Sequence, residues 1–236
     1  MKLLGEILEQ APEVKLLVTS RERLNLRWEW CFAVEGLATP PLTPPLVGEG
    51  QEEGFEDYDA VRLFAQTVRR TDRRFALGAS HTLAITRICQ SVEGMPLAIE
   101  LAAAAVGTRT CAEIAGEIER GLSFLKTDLR DMPARHRSVQ AAFEHSWHLL
   151  TPVEQRTFMA LSVFRRGCCP QAAIEVTGAA PTVLDSLVSK SLLRWLPVGR
   201  YEMHELLRQY ASERLAALPE VQTEARNKHW SISHLA

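Results

Sequence analysis

Residues 192–218 read LLRWLPVGRYEMHELLRQYASERLAAL, and this stretch decides the fold of the second half of the chain. Two short β-favouring runs, 192–196 and 200–204, flank Pro197-Val198-Gly199, a turn built from one residue with fixed φ and one with free φ. From Glu205 onward the apolar residues switch to a helical period through Leu206, Leu207, Tyr210 and Leu215, and Pro219 stops the run. Upstream, the spacing predicts helices at 138–149, 152–163, 170–177 and 182–190, with Thr151 and Glu154 forming a capping box at the second of them. Helices followed by a β-hairpin and one more helix give the element order of a winged helix.

Moving outward toward the N-terminus, the period stays helical. Helices are predicted at 58–72 and 80–92, then Gly94-Met95-Pro96 stops one helix and starts the next, 96–106, with proline at its first position. Thr110 and Glu113 make a second capping box. Before these helices lies a Pro/Gly-rich acidic stretch, 39–56, which reads as a loop or linker. KLLVTSRERL (15–24) reads as a buried strand, 14–18, ending in Thr19-Ser20-Arg21, and WCFAVEGL (30–37) as a second strand-like piece. An arginine at the carboxyl end of a strand in an open α/β sheet stands where such sheets collect ligands. The first ten residues read as a helix, and the tail beyond Pro219 as another with nothing obvious to pack on.

Composition limits the function classes. The 236 residues are 46% apolar and 24% charged, with a formal net charge of -2, so no global field draws the chain to nucleic acid or an anionic membrane. No apolar run reaches the roughly 18 residues that span a bilayer. The five cysteines, Cys31, Cys89, Cys111, Cys168 and Cys169, form no Cys-x-x-Cys spacing, and they read as reduced thiols of a cytoplasmic protein. A phosphate-binding Gly-x-x-x-x-Gly-Lys-Ser/Thr loop is absent, as are a Gly-x-Ser-x-Gly elbow and a His-Glu-x-x-His zinc motif. His145 and His148 lie one helical turn apart without a third ligand and read as an ordinary helix face; no metal site is expected. The chain therefore carries no apparatus for catalysis of its own. At the recognition position of the winged helix, 181–190 offers Lys190 as its one cation, so direct DNA binding is not expected and protein packing is the better use of the fold. The basic clusters at 69–74 and 130–137 read as solvated helix ends and linker.

Taken in order, the strand with TSRERL, the VRLF helix (61–64), GMPLAIELAAA (94–104), TPVEQRTF (151–158), KSLLR (190–194) and MHELLRQYASERL (203–215) resemble the second half of an NB-ARC module of the STAND class of signalling ATPases, closest to bacterial transcriptional regulators. The resemblance implies a mainly α fold in three parts with an outgoing helix. These are a remnant of a parallel α/β nucleotide-binding sheet plus loop (1–56), a helical lid (57–136), a winged-helix domain (137–218) and the start of a C-terminal helical repeat (219–236). It implies that Arg21 senses the terminal phosphate of ATP, a task suited to a planar guanidinium that never deprotonates. Pro96, after the tight turn at Gly94, would pack against adenine. His204 would contact the β-phosphate of ADP and latch the winged helix over it; the third position of that Met-His-Asp signature is Glu205 here. The three side chains would then converge on one cavity. The implied ligand is ADP or ATP, held feebly or not at all by this chain alone. The phosphate loop and the magnesium ligands belong to the N-terminal half of the module that this chain lacks, so magnesium enters only in a longer parent. That parent would close over ADP and open for self-association, as a regulator and at most a slow ATPase.

Overall fold

Among the described residues of the computed structural model (2–11, 13–42, 54–127, 133 and 136–233) one sheet forms, the two-stranded antiparallel hairpin β1 (Arg194–Leu196) and β2 (Arg200–Glu202). The other regular elements are helical. They are α1 (Lys2–Gln10), α2 (Asp59–Thr71), α3 (Ala79–Ser91), α4 (Pro96–Ala104), α5 (Cys111–Arg120), α6 (Val139–His148), α7 (Pro152–Leu161), α8 (Pro170–Thr177), α9 (Pro181–Ser189), α10 (Glu205–Ala216) and α11 (Pro219–Ser233). Local chemistry explains where they begin. α4, α7, α8 and α9 start on proline, whose missing N–H falls where no helical partner exists. Thr110 and Thr151 each accept from the amide three residues on, while Glu113 and Glu154 return the bond to the cap. α8 ends on Gly178 in the left-handed region, φ 67°.

Two helical layers follow from the apolar faces. α2 packs on α4 and α3 on α5, burying Val61, Phe64, Val68, Ile85, Ile88, Ile99, Ile114 and Ile118. In the second half α7 is surrounded by α8, α9 and α10, with Phe158, Leu184, Leu187, Leu206 and Tyr210 inside. A 3-10 turn, Leu122–Phe124, touches α5, α6 and α10, and through Leu122, Leu125 and Val139 the buried core runs without a break from one layer to the other.

Three sequence expectations are corrected. Residues 14–18 and 30–37 form no strands, and the expected remnant of a parallel sheet is not formed among the described residues. A strand exists only when its backbone groups are paired in a ladder, and among the described residues no strand pairs with them; the single backbone bond from Leu37 to Gly94 makes no ladder. Their side chains stay in the open, with Leu17 98%, Trp30 96% and Phe32 89% exposed. The hairpin strands are shorter than expected because Leu192 and Leu193 turn into the core instead of joining the ladder. α11 does have a bed: it packs on α8, α10 and α7, with Ala225 buried beside Val176 and Ala160, and His229 edge-on to Phe164 at 4.9 Å between ring centroids. Part of the Pro/Gly-rich stretch (43–53), most of the second basic cluster and the last three residues lie outside the described residues. No helix among the described residues is long and apolar enough to cross a membrane.

Candidate functional site

The α3–α4 turn is the point where three parts of the chain meet. After α3, Glu93 (φ 46°) and Gly94 (φ 69°) are both left-handed, and Pro96 then opens α4. Gly94 N–H closes the end of α3 on Cys89 O at 3.0 Å, and Met95 N–H bonds Val92 O at 2.9 Å. Against this turn runs the end of the N-terminal segment. Leu37 N–H donates to Gly94 O at 2.9 Å, Ala60 N–H to Ala38 O at 3.2 Å, and Gln90 Nε2 to Pro40 O at 2.7 Å. The approach needs glycine on both sides. A Cβ at Gly94 would stand 2.1 Å from Leu37 O, and one at Gly36 would stand 2.1 Å from Glu93 O.

The third part is the hairpin and α10. His204, at the end of the hairpin, is the N-cap of α10, and its Nδ1 accepts from Leu206 N–H at 3.2 Å. With Nδ1 an acceptor, the neutral ring carries its proton on Nε2. That nitrogen faces Glu93 Oε2 at 3.7 Å. The Glu93 carboxylate also accepts from Glu205 N–H at 2.6 Å and from Arg194 Nη2 at 2.6 Å. An anion is thus seated at the positive end of α10, between a guanidinium and an imidazole. The His204 side chain is only 19% exposed. Burial pulls its pKa below the ordinary histidine value, Arg194 pulls the same way, and Glu93 and Glu205 push upward against them. Glu205 itself turns away to Arg208, with two contacts of 2.7 Å, and to Gln209. Burial would raise its pKa, but these partners hold it below the ordinary carboxylate value.

Gly94, Pro96 and His204 therefore belong to one junction, with Pro96 exposed at its edge. Arg21 bonds elsewhere: its Nη2 donates to Ala142 O in α6 at 3.1 Å, and its carbonyl accepts from Ser191 Oγ just after α9. Two small voids in the packing are lined by other residues, one by Leu161, Phe164, Cys168 and Tyr201, the other by Phe143, Trp147, Phe158 and Tyr210. Among the described residues no three His, Cys, Asp or Glu side chains cluster as a metal site. The residue that sequence reasoning missed is Glu93. Its neighbours Gly94-Met95-Pro96 signal a turn, but nothing in the sequence marks a partner 112 residues away.

The face of α9 is equally informative. Lys190 Nζ bonds both Glu154 oxygens, at 2.7 and 2.8 Å, and Ser186 Oγ bonds Oε1 of the same carboxylate. The residues that α9 exposes are Pro181, Thr182, Asp185 and Ser189, without a free cation among them.

The chain is related to bacterial proteins named as regulators of transcription. It is 30% identical over 239 residues to a Mycobacterium tuberculosis protein provisionally named an HTH-type transcriptional regulator, the match covering 97% of this chain and 25% of the relative. Over 158 residues it is 28% identical to the regulatory protein AfsR of Streptomyces coelicolor, covering 65% of this chain and 15% of that protein. An uncharacterized M. tuberculosis protein is 27% identical over 165 residues, which is 70% of this chain and 38% of the relative. The chain spans about a quarter of the length of the regulators it matches from end to end. No family model matches it.

Proposed function

We propose that the chain is the switch-bearing part of a longer transcriptional regulator and that its input is an adenine nucleotide. The observation that carries this is the junction at Glu93. A histidine whose Nε2 proton faces the Glu93 carboxylate, an arginine and a helix N-terminus meet beside a proline-led turn. Nε2–H is the donor a diphosphate needs, and the exposed Pro96 ring offers an apolar edge to a base. In this scheme residues 57–136 act as a lid and 137–218 as a winged helix that close on ADP. Arg21 reads the terminal phosphate of ATP when the missing half of the nucleotide domain is present. Magnesium would be held by that half, and the open form would self-associate. The bistable element is the pairing of lid and hairpin, biased by different contacts to two ligands.

The test is calorimetry with ADP, on the chain alone and on the chain joined to the polypeptide preceding it in its parent. Weak or absent binding is expected for the first. Tight binding is expected for the second, reduced about tenfold or more by His204→Ala, the worth of one lost hydrogen bond to a charged group. Equal affinity in that variant removes His204 from the scheme.

The names of the relatives favour a second reading, in which the hairpin region itself contacts DNA. A gel shift on duplex DNA that weakens with salt and is lost on Arg200→Ala would support it. The α9 face, with Lys190 held by Glu154, speaks against it.

A further inference from the structure

The nucleotide scheme assigns ligand contacts to His204, Pro96 and Arg21 but none to Glu93, whose carboxylate nonetheless joins the turn to the hairpin and α10. Its backbone is left-handed, φ 46°, a conformation that a residue with a Cβ adopts only at a cost. The strain is offset by what the side chain reaches. Three polar groups of the segment from β1 to α10 meet the Glu93 carboxylate, Arg194 Nη2, Glu205 N–H and His204 Nε2, while beyond α5 Leu122 N–H donates to Glu213 Oε1 at 3.3 Å. The contact is directional as well as charged, because Oε1 takes the first free amide of α10 while Oε2 takes the guanidinium.

We propose that Glu93 is the latch that closes the hairpin and α10 onto the α3–α4 turn, and that it positions His204 by giving the Nε2 proton an internal anion to face. Opening requires the carboxylate to leave three donors at once, while the apolar continuity through Leu122 and Leu125, with the Leu122–Glu213 bond, can stay joined as a hinge. Together with the nucleotide proposal, on which this one clause rests, a phosphate arriving at His204 meets a carboxylate already in place. The phosphate and the Glu93 carboxylate then compete for the His204 Nε2 proton.

Hydrogen exchange at the Glu205 amide reads the latch directly. In the full chain, Glu93→Gln and Arg194→Gln are each expected to speed exchange at Glu205 about tenfold, with protection inside α2 and α7 unchanged. The double variant is expected to be no faster than the faster single one, because both remove the same interaction. An unchanged rate in Glu93→Gln, or effects that multiply in the double variant, overturns the latch. Protection in α2 and α7 identifies any variant that has merely unfolded, and Arg70→Gln, remote from the turn, is expected to leave the Glu205 rate unaltered. Adding ADP separates the two proposals. On the chain joined to the polypeptide preceding it in its parent, tighter ADP binding by Glu93→Gln supports competition, equal affinity refutes it, and faster exchange with no ADP binding to either joined protein leaves the latch standing while the nucleotide scheme falls.

Discussion

Gly94 and Gly199 are both left-handed, at φ 69° and 75°, but only Gly94 is crowded: a Cβ there meets Leu37 O at 2.1 Å, whereas nothing lies within 4 Å of one at Gly199. Alanine at Gly199 is expected to cost about 1 kcal/mol, the price of the dihedral alone. At Gly94 the clash adds to that cost, and a loss of roughly 2–4 kcal/mol is expected, with the 36–37 segment displaced. Chemical denaturation of the two variants side by side checks the difference; equal losses would mean that the 36–37 contact is not held in solution. The role of Gly94 was partly legible, since a glycine before Met-Pro between two helical periods implies a tight turn. Glu93 was not. A glutamate beside a turn ordinarily faces water, and its partners become neighbours only after the hairpin has folded back.

Helix α7 shows the same division between local and distant information. The Thr151–Glu154 capping box was readable, and both halves of it form. The pairing of Glu154 with Lys190 and Ser186 was not, because those groups come from α9. Burial alone would raise the Glu154 pKa, but Lys190, Ser186 and the Thr151 cap overcome it and hold the value at about 2. The folded-state value lies below the unfolded one, so this stabilisation is complete above the ordinary carboxylate range and is lost as pH falls from about 4.5 toward 2. A decline in stability of roughly 3 kcal/mol over that window is expected, and Glu154→Gln is expected to flatten it in urea titrations at stepped pH. Lys190→Met leaves a buried carboxylate without its counter-charge, and a loss of about 3–5 kcal/mol is expected by the same measurement. The two expected N-terminal strands failed for the complementary reason. Val14, Leu16 and Val18, like Trp30, Phe32 and Val34, favour extended backbone, but preference for a conformation supplies no neighbour to pair with.

Over the whole molecule, burial is uneven. The two helical layers and α11 share most of the apolar side chains, while the segment from 14 to 36 shows water a row of large ones. Largely exposed, in no β-ladder and rich in β-favouring residues, that segment is a template for edge-to-edge association. Replacing Trp30, Phe32 and Val34 by serine is expected to leave the unfolding midpoint within about 0.5 kcal/mol of the parent, because none of the three is buried. Concentration-dependent association in sedimentation velocity is expected to fall; a lowered midpoint would show instead that the segment packs in solution. The order of the helices and the hairpin was legible from periodicity and caps, whereas the bed under α11 was hidden because it is assembled from α7, α8 and α10 together.

The bond from Leu37 to Gly94 has a mechanical corollary. It fastens the exposed apolar arm to the turn one residue from Glu93, across an approach too tight for any side chain to cushion. Traction on the arm is therefore delivered, with little slack, to the peptide unit adjoining that carboxylate, so whatever grips residues 30–36 pulls on the turn that carries Glu93.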